Sequence, residues 1–120
     1  MLHLSSSCNY YLCRQPTDMR RGFDSLSGMV SMQLQMSVLS GPVFIFINKK
    51  RNQVKLILWE GDGLAMYYKR LEKGTYELPV YSDENSSVSI SSQELQLILQ
   101  GISLKSVRKR KRYQHLDKFC

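Results

Sequence analysis

Apolar and polar positions follow two rhythms along this chain. Met19, Phe23, Leu26, Val30 and Leu34 recur at spacings of four, three, four and four, the repeat of one α-helical face. Ser27, Ser31 and Gln35 fall off that face. Pro16 ends what precedes, and Thr17 or Asp18 stands where a cap would accept a first-turn N–H. Ser40-Gly41-Pro42 closes the segment. The rhythm then changes. Val43-Phe44-Ile45-Phe46-Ile47 is a short β-branched and aromatic run, the composition of a buried strand. Residues 48–52 read as a hairpin turn and residues 54–59 as the partner strand, with Lys55 its one charge. Gly61-Asp62-Gly63 offers the positive-φ residues that a tight reversal needs, so residues 64–71 run back as a third strand. Gly74 marks another turn before a short strand at 75–78.

Both flanks add elements. Residues 10–12 form a short apolar stretch, expected as an edge strand. Residues 81–87 are polar and acidic, a loop, and residues 88–90 read as one more strand. Ser91-Ser92-Gln93-Glu94 is a capping box, in which the Ser91 hydroxyl and the Glu94 carboxylate satisfy helix-start N–H groups reciprocally. Leu95, Ile98, Leu99 and Ile102 make the stripe of that helix, and Gly101 suits its stop. The pattern predicts an α+β fold: an antiparallel meander sheet of four to five strands with two packed helices.

At 120 residues the chain makes one domain. Residues 1–104 are expected to be compact. Residues 105–120 form a basic tail with too few apolar groups to offset its chain entropy, so disorder is expected there in isolation. The longest apolar runs fall well short of the ~20 residues of a spanning helix, and no charged start precedes an apolar leader. Three cysteines, an odd number, suit a reducing compartment better than a disulfide framework. A cytoplasmic location and no membrane partner are therefore expected. His3, Cys8 and Cys13 are separated by four residues each, a poor spacing for a zinc site that would still lack a fourth ligand. No metal and no cofactor is expected.

Net charge is +7. Residues 105–120 carry seven basic residues and one acid, a net of +6. Residues 1–104 carry ten basic and nine acidic residues, a net of +1. Bulk charge therefore says little about the body, and clusters must carry any argument. Lys49, Lys50 and Arg51 sit in the hairpin turn with Lys55 close behind, and no acid interrupts them. Such groups gain affinity for a polyanion by releasing its counterions, although hairpin tips are also made Lys-rich for solubility. Lys69 and Arg70 follow Tyr67 and Tyr68, an interleaving able to stack bases and hold phosphates. Strand alternation puts Tyr68 and Arg70 on one face and Tyr67 and Lys69 on the other. Arg70 could equally pair with Glu72 or Asp62. Arg108, Lys109, Arg110, Lys111 and Arg112 form a sequence-independent electrostatic arm or a solvated tail. Trp59, at a strand end, and Tyr68 are either core or anchors for a protein partner.

The acids do not suggest an enzyme. Asp18 has a capping role, Asp62 a turn role, and Glu60 and Glu72 flank turns. A metal-dependent nuclease needs a carboxylate cluster. No Asp-Asp-Glu spacing, Ser-His or Cys-His pairing, or phosphate loop is apparent.

Three stretches carry a family resemblance. Trp59-Glu60-Gly61-Asp62-Gly63-Leu64-Ala65-Met66-Tyr67-Tyr68-Lys69-Arg70-Leu71-Glu72-Lys73-Gly74 resembles the W-[DE]-G-D-G-x-x-x-[WY]-Y-K-R-L-E-x-G core of the TnpB (Orf2-like) accessory proteins of insertion-sequence-66 bacterial transposons. Thr17-Asp18-Met19-Arg20-Arg21-Gly22-Phe23-Asp24-Ser25-Leu26 is similar to the family's T-D-M-R-[KR]-x-F-D-x-L opening. Gly41-Pro42-Val43-Phe44-Ile45-Phe46-Ile47-Asn48-Lys49-Lys50-Arg51 is similar to its strand and basic turn. Leu78-Pro79 departs from the Trp-Pro of many members, and the basic tail is longer than the family leads one to expect. The resemblance implies a non-catalytic accessory to transposition, with strand cleavage left to a separate transposase. It implies DNA and the transposase or another accessory subunit as partners. The alternative is an adaptor that binds only protein.

Overall fold

The structure, a computed structural model, describes residues 5–79 and 87–101. Among these, five strands form one sheet: β1 (Tyr10–Cys13), β2 (Val43–Ile47), β3 (Gln53–Trp59), β4 (Leu64–Arg70) and β5 (Ser87–Ile90), in the order β4-β3-β2-β1-β5. Strands β2, β3 and β4 make the expected antiparallel meander. β1 lies inside the sheet rather than at its edge. It pairs parallel with β2 and antiparallel with β5. The parallel pairing follows from the helical crossover that separates β1 from β2 in sequence, since parallel neighbours need a long connection.

Helix α1 (Phe23–Gln33) and helix α2 (Ser92–Gln100) cover opposite faces of the sheet. The two-residue period of the strands divides the apolar side chains between two cores. Tyr10, Leu12, Val43, Ile45, Ile47, Val54 and Leu56 meet Leu95 and Ile98 of α2. Cys13, Phe44, Phe46 and Ile57 meet Leu26, Met29 and Val30 of α1 and its C-cap residue Leu34. Both faces of β2 are therefore buried, which explains its unbroken apolar run. Tyr11 stacks on Phe44, with ring centroids 5.9 Å apart. A 3₁₀ turn at Val38–Ser40 packs against β3 and places Val38 in the α1-side core.

The first helix starts later than its apolar spacing suggests. Asp18 does not cap it. The Asp18 carboxylate instead accepts the Arg20 backbone N–H at 2.9 Å, and the Asp18 carbonyl accepts that of Arg21 at 3.1 Å. This is a local turn that competes with a helix. Gly22 occupies the N-cap, and Phe23 is left exposed. At the second helix the Ser91–Glu94 capping box is complete, and Gly101 stops the helix with φ +76°. Ile102, expected on its stripe, lies outside the described residues.

Residues 75–78 form no strand. Residues 71–76 cross the hairpin end of the sheet, donating from Leu71 N to Asn52 O at 2.7 Å and from Tyr76 N to Arg51 O at 2.6 Å. Tyr76 is thereby buried in the α2-side core, and its hydroxyl has no hydrogen-bond partner among the described residues. Burial, and then the neighbouring Tyr67, push that hydroxyl's pKa up to about 12. No helix among the described residues is long and apolar enough to cross a membrane.

Candidate nucleic-acid interface

The β2–β3 hairpin tip is fastened from several directions. Asn48 Oδ1 accepts the backbone N–H groups of Asn52 and Gln53 at 3.0 and 2.9 Å, and its amide donates to Asn52 Oδ1 at 2.8 Å. Arg51 closes the turn to Asn48 O at 3.0 Å and adopts φ +59°. That left-handed conformation costs a non-glycine residue about 1 kcal/mol or more. The Thr17 N–H reaches Ile47 O at 2.9 Å, tying the 16–21 loop to the same end of the sheet.

Lys55 joins that loop to the sheet. The residue is buried, 6% exposed, and its ammonium donates to Met19 O and Arg21 O at 2.7 Å each. It also lies 4.7 Å from the centroid of the Tyr68 ring, its cross-strand neighbour. An ammonium has three donors, and here two carbonyls and one π-face receive it. An unpartnered buried cation would be far too costly, so this closed arrangement is what permits the burial. It also takes up carbonyls that a first helical turn would need, which is why α1 begins only at Phe23. Lys55, expected as a phosphate contact, is therefore an internal tie with no reach to an outside ligand. Its sequence signal was its parity: alternation puts it with Ile57 and Trp59, on the face that α1 covers.

Between hairpin and loop lies an open cleft of about 590 Å³, lined by Pro16, Thr17, Asp18, Met19, Arg20, Asn48, Lys49, Lys50, Gln53 and Tyr68. Lys49 and Lys50 are exposed, with no acid partner among the described residues. Arg20 grips Asp18 through Nε and Nη2, the closest contact being 2.6 Å. That grip, and the Arg20 backbone N–H, hold the Asp18 carboxyl far below the usual carboxylate range. Arg21 donates to Ser25 Oγ at 2.6 Å. Neither arginine stood out as a site residue in the sequence, because both read as part of a helix start. The signal available was a basic pair directly after a turn-forming Asp.

The remaining candidates divide. Arg70 pairs across the ladder with Gln53, so it shares the cleft's end and face of the sheet, and it ion-pairs with exposed Glu72 at 3.3 Å. Lys69 is exposed on the opposite face, opposite Val54. Arg51 is exposed at the tip. Trp59 is half-buried at the other end of β3, about 20 Å away by strand rise, beside the Gly61 turn. In that turn only Gly61 takes a positive φ, +96°, and Gly63 does not. Among the described residues no three His, Cys, Asp or Glu side chains come together as a metal site. Residues 108–112 lie outside the described residues.

The architecture is that of a small mixed-sheet α+β protein with a braced cationic cleft at one end of the sheet. The chain belongs to the IS66 Orf2 like protein family (TnpB_IS66), whose model matches residues 8–109, and it is thus a transposition-associated accessory protein. It is similar to two proteins of Sinorhizobium fredii (strain NBRC 101917 / NGR234). One is "Uncharacterized protein y4hO", 32% identical over 85% of this chain and 87% of that one. The other is "Uncharacterized protein y4jC", 27% identical over 92% of each. No solved structure matches significantly.

Proposed function

We propose that this protein binds DNA at or near the ends of its mobile element through the cationic cleft and helps assemble the transposase complex, without itself catalysing strand chemistry. The construction of the cleft carries this reading. Lys49 and Lys50 have no acid partner among the described residues, stand beside Arg20, and project from a tip tied to residues 71–76 and, through Ile47, to the 16–21 loop. Lysines retained only for solubility need no such bracing. Cations carried on a tied backbone at hairpin height suit a phosphate backbone, which they would contact with little regard to base sequence. Arg51 and Arg70 flank the cleft, Lys69 would contribute from the opposite face of the sheet, and the basic run at 108–112 would add unspecific attraction.

Mobility shift of duplex DNA between 50 and 200 mM salt tests the reading. Binding is expected to weaken steeply, and Lys49→Ala/Lys50→Ala should reduce the slope of log affinity against log salt by about 2. No shift at low salt, with and without residues 105–120, would overturn it.

A second reading, a protein adaptor, is favoured by the opposite end of the sheet. Half-buried Trp59 ends β3, and Leu39 is 60% exposed on the turn that packs against that strand. Partly exposed aromatic and aliphatic groups of this kind serve as interface anchors. Trp59→Ala lowering recovery of the transposase with this protein, while DNA binding is kept, would support it. Unchanged recovery would remove it.

A further inference from the structure

We propose that Tyr68 is a stacking platform for an unpaired base, so that the cleft takes a single-stranded or frayed DNA end and not only duplex. This inference rests on the reading that the cleft meets DNA. Tyr68 is 53% exposed, although an aromatic ring favours burial. It is nevertheless held in place. Its hydroxyl donates to Gln53 Oε1, and the Lys55 ammonium sits against one ring face. Lys55 in turn is fixed by the Met19 and Arg21 carbonyls, so the ring's support is part of the folded frame. A ring held at its edge and on one face leaves the other face for a planar ligand. Stacking there needs little further ordering, which is where much of a binding penalty normally arises.

The surroundings decide what kind of planar ligand fits. Lys49, Lys50 and Arg20 line the same cleft as Tyr68. The Arg20 contacts to Asp18 run through Nε and Nη2 and leave Nη1 available. An aromatic face among cations is the arrangement that takes a base by stacking and its flanking phosphates by charge. At about 590 Å³ the cleft is within the ordinary range for a small-ligand site, roughly 300–1,000 Å³. Base pairs inside a duplex are stacked on both faces, so away from a terminal pair this feature can act only on a strand that has opened.

The test compares three probes of equal phosphate count: a blunt duplex, a duplex with a short overhang and a single strand. Each unpaired region carries the fluorescent base 2-aminopurine. Wild-type protein should bind the overhang and the single strand more tightly than the blunt duplex and change the 2-aminopurine emission. Tyr68→Ala should lose roughly tenfold or more on the unpaired probes and little on the blunt duplex. Tyr68→Leu, which keeps an apolar cover over Lys55, should behave like Tyr68→Ala, whereas Tyr68→Phe should retain stacking. Unfolding midpoints of all three variants show whether the fold is intact. If Tyr68→Leu folds and binds every probe like wild type, the inference is overturned. If wild type binds all probes equally, this inference falls while DNA binding stands. If it binds none, both fall.

Discussion

The β3–β4 ribbon is built differently at its two ends. At one end Trp59 and Leu64 are joined by a tight turn in which Glu60 N bonds Gly63 O at 2.9 Å and Gly61 provides the needed backbone freedom. The turn is acidic and self-contained. At the other end, Gln53 and Arg70 lie beside a basic tip to which residues 71–76 bond directly, and which the 16–21 loop reaches through Ile47 and Lys55. The end that carries the exposed cations Lys49 and Lys50 is the end that other segments hold still. A lysine side chain loses rotamer freedom when it meets a ligand, and a fixed backbone beneath it limits that loss to the side chain. On the proposed reading, phosphate contact falls to the tip and the Gly61 turn keeps a structural role.

The contrast can be broken or sharpened by substitution. The largest effect is expected from Lys49→Ala/Lys50→Ala: about tenfold loss of DNA affinity per contact near 0.1 M salt, with an unchanged unfolding midpoint. An unchanged affinity would leave the two ends functionally alike. Lys55→Met comes next. It strips the Met19 and Arg21 carbonyls of a buried partner, at a cost of about 1–3 kcal/mol in denaturant unfolding, and it should speed hydrogen exchange in the 18–22 loop. Equal exchange in mutant and wild type would mean that Lys55 does not brace the loop.

Arg51→Gly separates stability from binding at the tip. Relief of the positive φ should stabilise the fold by about 1 kcal/mol, while the loss of a cation lowers the salt slope by about 1. Gly61→Ala is its counterpart at the other end. It should cost about 1 kcal/mol, because a side chain at φ +96° is strained, with no change in DNA affinity. A binding defect in Gly61→Ala would erase the distinction between the ends.

The smallest effect concerns the brace across the tip. Burial raises the Tyr76 hydroxyl's pKa to about 12, so the folded state holds that proton more tightly than the unfolded state does. The resulting stability is full below pH ~10 and is lost as pH rises from there through 12. Tyr76→Phe should flatten this alkaline decline and, by removing a buried hydroxyl that has no partner among the described residues, stabilise the fold by about 1 kcal/mol at neutral pH. Urea midpoints from pH 8 to 11.5 provide the check.

Much of the fold was legible because local rules agreed with one another. The β-branched run at Val43–Ile47, the Gly61 reversal and the Ser91–Glu94 capping box each specify an element by themselves. Two misreadings share a cause. Helical spacing from Met19 onward could not reveal that Lys55, 34 and 36 residues away, takes the Arg21 and Met19 carbonyls. The apolar stretch at β1 could not reveal that β5 covers its outer edge. The candidate site was less legible than the fold. Lys49 and Lys50 were visible as a charge cluster, but Arg20 was hidden within an apparent helix start. The densest motif, residues 59–74, spreads its residues over both ends of the ribbon, and only Tyr68, among those lining the cleft, comes from it.

By itself the sequence determined the α+β class, the meander, the second helix with its cap, and membership of the transposon family. These follow from periodicity, turn chemistry and motif spacing, all of which act over a few residues. Only the tertiary structure decided that β1 lies inside the sheet, that the two helices take opposite faces, and that Lys55 is an internal tie. It also set Arg20, Lys49, Lys50 and Tyr68 around one cleft. The physical reason is that a buried ammonium must find its acceptors wherever the fold presents them. In this chain they lie on a loop far away in sequence, and satisfying them shaped the cleft.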